Sequence, residues 1–99
     1  MSNITDAVAR YKANSTIAAQ TIVDSADNLT AALLDANYAS TLNSMIAAKK
    51  IFLNIQDAAS KLLTDANYLN LSKANIVTTV TLTGASNTLS AADATKIAK

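Results

Sequence analysis

Ile51-Phe52-Leu53-Asn54-Ile55, running into Gln56-Asp57-Ala58-Ala59, is the stretch on which the architecture turns. A short apolar segment of this kind suits a buried strand, and Asp57 reads as the N-cap of a helix carrying Leu62 and Leu63. The same join stands 33 residues earlier, where Ile22-Val23-Asp24-Ser25-Ala26 answers Ile55-Gln56-Asp57-Ala58-Ala59, and fades into Thr88-Leu89-Ser90-Ala91-Ala92 another 33 residues on. Asp35-Ala36-Asn37-Tyr38 recurs as Asp65-Ala66-Asn67-Tyr68. Each copy reads as a helix exit, with asparagine taking the left-handed conformation that usually calls for glycine. The fold these echoes predict is an α+β or α/β repeat. Short strands alternate with capped helices in roughly 33-residue units, stacked in solenoid fashion.

Outward from that stretch, residues 3–13 suit a helix capped by Asn3 or Thr5, with Ile4, Val8 and Tyr11 on one face. Residues 17–23 mix alanine with β-branched side chains and fit strand or helix equally. Asp24 is placed to cap a helix in which Ala26, Leu29, Ala32 and Leu33 recur at helical spacing. Residues 39–48 are ambiguous, though Leu42, Met45 and Ile46 share a helix face, and Leu69 and Leu71 suit an extended piece. Ile76-Val77-Thr78-Thr79-Val80-Thr81-Leu82-Thr83 is dense in β-branched residues. It predicts a strand with Val80 and Leu82 inward, Thr81 and Thr83 outward. Gly84-Ala85-Ser86-Asn87 follows as a turn, Leu89 as the end of a short strand, and Ser90 as the cap of a last helix with Ala92 and Ile97. Residues 1–99 form one domain, with a helical segment at 1–18 and the repeat region at 19–98.

Composition narrows the function classes. Histidine and cysteine are absent, which removes the usual general base, the thiolate nucleophile and the commonest metal ligands. A net charge of +1 with dispersed signs leaves no electrostatic footprint for nucleic acid. No apolar run is long enough to span a bilayer. All seven acidic residues are aspartate, a residue of caps and turns rather than of long solvated helices. Much of the 51% hydrophobic content is alanine, so one chain builds a thin core, for which subunit association is a common remedy.

The order of these segments resembles the repeats of large secreted bacterial hemolysin-type (RTX-like) surface proteins. The counterparts are residues 22–29, 55–62, 80–83 and 89–93. The resemblance implies a scaffold at the cell surface or outside the cell, exported without a cleaved leader through a C-terminal signal. The calcium-binding glycine-rich nonapeptides of such proteins are missing here, since Gly84 is the single glycine.

Candidate chemistry is sparse. Asp24, Asp27 and Asp35 read as helix caps and first-turn carboxylates before they read as a calcium site. Tyr38 and Tyr68 read as rings packed under helix ends, and Lys49-Lys50 as a solvated turn. Serine and lysine are plentiful, but no motif pairs them. The sequence therefore predicts no catalytic, cofactor or metal site. The expected function is that of a non-enzymatic, self-assembling structural protein of the cell exterior, such as a filament, surface-layer or matrix subunit. Its partner is a further copy of itself. Ile51, Phe52, Leu53, Ile55, Ile76, Val77, Val80 and Leu82 are the expected assembly residues, and Val80→Lys the substitution expected to abolish assembly. The alternative is a small helical partner-binding or phage-associated accessory module, docking through Leu29, Leu33, Leu62 and Leu63.

Overall fold

Three parallel strands in the order β1-β2-β3 organise the molecule. The computed structural model describes residues 2–73, 76–84 and 89–97. Along the chain these are α1 (Asn3–Ala13), β1 (Gln20–Asp24), α2 (Ala26–Leu34), α3 (Ala39–Ala47), β2 (Ile51–Asp57), α4 (Ala59–Leu62), α5 (Asp65–Lys73), β3 (Val77–Leu82) and α6 (Ala91–Ile97). Strand-to-parallel-strand crossovers are right-handed almost without exception. Two successive crossovers running the same way across a sheet therefore deposit their helices on one face. The burial pattern agrees. Ile22, Ile51, Leu53, Ile55 and Val77 are buried beneath the helices, while Thr21, Val23, Gln56, Thr79 and Thr81, on the opposite face, are exposed. Helix α2 is the hub of the helical layer, touching β2 and each of α1, α3, α4 and α5. One buried cluster runs through the whole, from Ile4 and Val8 through Leu29, Leu42, Met45 and Leu62 to Ile97.

The solenoid of equivalent units expected from the sequence is not what the chain builds. Partner residues are 31 apart between β1 and β2 (Gln20 with Ile51) but 25 apart between β2 and β3 (Ile55 with Val80). The first crossover holds two helices of 9 residues, the second one of 4 and one of 9. Units so unlike cannot stack as copies. What the 33-residue echo preserves is a joint, because Asp24 and Asp57 each end a strand and accept a hydrogen bond from the next amide at 2.8 and 2.9 Å.

Several local readings shift accordingly. The caps of α2 and α4 are Ser25 and Ala58, one residue past the aspartates, because the strands extend through Asp24 and Asp57. Helix α1 is capped by Ser2, whose side chain and that of Thr5 satisfy each other's backbone in a reciprocal box. Asp35-Ala36-Asn37-Tyr38 is a turn, whereas Asp65-Ala66-Asn67-Tyr68 opens α5 and carries Leu69 and Leu71 into that helix. Ser90 does cap α6, its hydroxyl accepting from the Asp93 amide at 3.1 Å. Leu89 lies outside any strand; of the expected turn after β3, Gly84 is at φ +92°, while Ala85, Ser86 and Asn87 lie outside the described residues.

Lys49, not glycine, takes the left-handed position after α3, at φ 56°. The Lys50 amide reaches back to the Met45 carbonyl at 2.9 Å and the Lys49 amide to Ile46 at 3.1 Å, the double bond of a Schellman close. A side chain in that region costs about 1 kcal/mol, partly offset by the entropy glycine loses on folding. Lys49→Gly is therefore expected to raise the urea midpoint of unfolding, by up to about 1 kcal/mol in free energy. A lowered midpoint would contradict the strain.

Candidate functional site

All-parallel sheets are nearly always covered on both faces. Among the described residues, helices cover one face of this one. On the bare side, the register sets Thr21 beside Phe52, Val23 beside Asn54 and Thr79, and Gln56 beside Thr81. Val23 is 43% exposed; Phe52 and Asn54 are half-buried. The middle row is fixed by hydrogen bonds, because Asn54 Oδ1 accepts from Thr79 Oγ1 at 2.8 Å and from Thr78 Oγ1 at 2.9 Å. Thr78 is the extra residue of a bulge between the Leu53–Val77 and Asn54–Thr79 pairs. The result is an uncharged surface of threonine, asparagine and glutamine around two apolar side chains.

The two rims of the sheet differ. Gln20 donates its amide to the Lys50 carbonyl at 2.9 Å, so Gln20, Ile22 and Asp24 turn their backbone toward β2, and Thr21 and Val23 turn theirs outward. Helix α1 lies along that outer rim and takes up one of its carbonyls. Asn3 Nδ2 donates to the Val23 carbonyl at 2.9 Å, the Ile4 amide to Asp24 Oδ2 at 3.0 Å, and Gln20 Nε2 to the Ala7 carbonyl at 3.1 Å. At the other rim, the Thr83 amide donates to the Asp57 carbonyl at 3.0 Å, so Val80 and Leu82 face their backbone away from β2. Among the described residues no strand lies beyond β3. No charged residue and no proline falls between Ile76 and Ala92, so beyond the bulge at Thr78 the strand lacks two of the usual guards of an edge.

The carboxyl ends of the strands, where open α/β sheets commonly bind ligands, are occupied by internal bonds. Asp24 accepts from the amides of Ile4 and Ser25 and from Asn28 Nδ2; Asp57 accepts from the amides of Ala58 and Asp27. Asn67, 3% exposed, clamps α2 to α4 and α5. Its Nδ2 donates to Asp27 Oδ1 at 2.7 Å and to the Lys61 carbonyl at 2.8 Å, and its Oδ1 accepts from the Thr30 hydroxyl, which accepts in turn from Asn70 at 2.9 Å. Asp35 Oδ1 accepts from the Asn37 amide at 2.9 Å, which places it in a turn. Among the described residues no three acidic side chains converge as metal ligands. A groove of ≈ 260 Å³ between α1 and α2, lined by Thr5, Asn28, Asp35 and Tyr38, lies below the range of roughly 300–1,000 Å³ usual for small-molecule sites.

The expected assembly residues divide sharply. Ile51, Leu53, Ile55, Ile76 and Val77 are buried in the chain's own core; Phe52 lies on the bare face. Val80 is half-buried against the helices and Leu82 is 38% exposed at the rim. Val80→Lys therefore probes folding more than association. Leu29 and Leu62 are fully buried, and Leu33 and Leu63 pack on the same core, so those four offer no outward docking stripe. Lys50 is no bystander either, since its ammonium donates to the Ile17 carbonyl at 3.0 Å. Tyr68 carries Lys96 Nζ 5.3 Å above its ring. Of these outward positions the sequence marks Thr81 by its alternation with Val80 and Leu82, whereas Thr21 and Val23 fall in the stretch that fits strand or helix equally, and nothing in the sequence announces Asn3 as the partner of the Val23 carbonyl.

No family model, curated protein or solved structure matches this chain.

Proposed function

We propose that this chain is a non-enzymatic, self-assembling structural subunit of the cell exterior, of the filament, surface-layer or matrix kind. The observation that carries the reading is the bare face of an all-parallel sheet, a surface type that folded proteins cover as a rule. A second copy brings a face of the same uncharged, threonine-rich character, and Val23 and Phe52 supply apolar area to bury. The absence of histidine and cysteine, and a ligand end of the sheet filled by internal bonds, favour a scaffold over an enzyme. Placement outside the cell rests on the aspartate-, asparagine- and threonine-rich composition and on the resemblance to secreted surface repeats.

Thr79→Lys tests the assembly reading, because it sets a charge in the middle row without touching the core. Wild-type protein is expected to scatter light increasingly with concentration and to show ordered particles in negative stain. The variant is expected to lose both while keeping its circular dichroism. Equal scattering from the two proteins would reject the bare face as the contact. Protease shaving of intact cells tests location, since a subunit inside the cell survives it.

A further inference from the structure

The bare face alone is small. Three strands about 4.8 Å apart and five residues long, at about 3.3 Å each, present a projected area of only about 240 Å². Stable interfaces bury about 800 Å² per partner. Something must widen the face before it can hold a partner, and the open rim at β3 is the place where that can happen.

We infer that two copies join β3 to β3 antiparallel about a two-fold axis, extending the sheet to six strands in the order β1-β2-β3-β3-β2-β1. The inference rests on the self-assembly reading above and names its first contact. Backbone geometry selects both partner and register. At the β1 rim the Val23 carbonyl is already taken by Asn3, which disfavours head-to-tail addition of β3 to β1 and favours the pairing of like with like. The bulge at Thr78 spoils the first half of β3 for pairing and leaves Val80-Thr81-Leu82 regular. Val80 and Leu82 carry the outward amides and carbonyls. Pairing Val80 of each copy with Leu82 of the other makes four backbone hydrogen bonds and puts Thr81 on the axis. There the two Thr81 side chains meet as a non-hydrogen-bonded pair, with Cα atoms about 4.5 Å apart. An axis perpendicular to the sheet keeps both helical layers on one side, so the bare faces merge into one surface of about 480 Å². With the Val23 carbonyl of each outer rim taken by Asn3, edge addition favours two copies, and further growth passes through the merged face.

The chain's lack of cysteine makes the test direct. Thr81→Cys supplies a single thiol at the axis, and Thr21→Cys a single thiol, also exposed, two strands away on β1. Under mild oxidation, Thr81→Cys is expected to form the disulfide-linked dimer roughly 100-fold faster, through the effective concentration that pairing creates. Leu82→Pro removes one outward amide and leaves the bonds to β2 in place. It is expected to sediment as a monomer with wild-type circular dichroism, where wild type sediments at twice the 10.3 kDa chain mass or above. Sedimentation is run up to about 1 mM, because four backbone hydrogen bonds hold only a weak pair. Wild type that stays monomeric there overturns this inference and the assembly reading together. Wild type that associates, with Leu82→Pro associating equally and the two thiols oxidising at equal rates, overturns the β3 pairing alone.

Discussion

Leu53→Ala is expected to lower the free energy of unfolding by about 3–4 kcal/mol. Leu53 is fully buried at the middle of the central strand, flanked in register by Ile22 on one side and Val77 on the other. Helix α2 lies over β2, and the layer is fixed by contacts with four other helices, so the site cannot collapse onto the void. For a small domain whose total stability is about 5–15 kcal/mol, the variant sits near its unfolding threshold at room temperature. Val23→Ala is the control on the opposite face. Being 43% exposed, Val23 is expected to cost less than about 1 kcal/mol. Urea titrations of both variants decide the matter. Equal losses would mean that the sheet is covered on both sides, and the argument from a bare face would fall with that result.

Asn67→Asp is expected to cost about 3–5 kcal/mol, though it changes a single atom type. The amide nitrogen of Asn67 donates to Asp27 Oδ1 and to the Lys61 carbonyl. A carboxylate oxygen in its place faces two acceptors, one of them charged, in a site 3% exposed. Lys61 cannot compensate, because its ammonium meets Asp27 Oδ2 at 3.6 Å with both side chains more than half exposed. Asn67→Ala removes the donor without adding charge and is expected to cost about half as much. Thermal melts of the three proteins at neutral pH check the ranking. An aspartate variant as stable as wild type would show that the clamp between α2 and α5 carries no weight.

The sequence exposed its strands more readily than their arrangement. Ile51, Leu53 and Ile55 alternate with Phe52, Asn54 and Gln56, and β3 is written in valine and threonine, so both segments declare themselves locally. Parallel pairing does not, because each partner lies a whole crossover away and leaves no short-range mark. The Asp-Ala-Asn-Tyr echo misled for a similar reason. After nine residues of α2 the chain must turn back, whereas α4 runs only four residues and the same tetrapeptide is free to start α5. Identical residues thus put Asn37 in an exposed turn and Asn67 in the deepest polar position described. The aspartate caps were displaced by one residue because a strand ending in Asp24 or Asp57 spends its carboxylate on the joint. Of the surface itself, the uncharged run from Ile76 onward was visible; the capping of the Val23 carbonyl on the β1 rim was not, since it depends on Asn3 meeting a carbonyl 20 residues away.

The parallel register also governs how fast this molecule reaches its native state. No two neighbouring strands are joined by a hairpin, and the tightest strand pair still links residues 24 apart, Leu53 with Val77. Each rung of the ladder must wait for a helical crossover to bring distant residues together, a search that slows folding by orders of magnitude relative to helical bundles of equal length. While that search runs, the uncharged β3 segment is available to any other chain in the same condition, so dilute refolding should outperform concentrated refolding in yield as well as in rate.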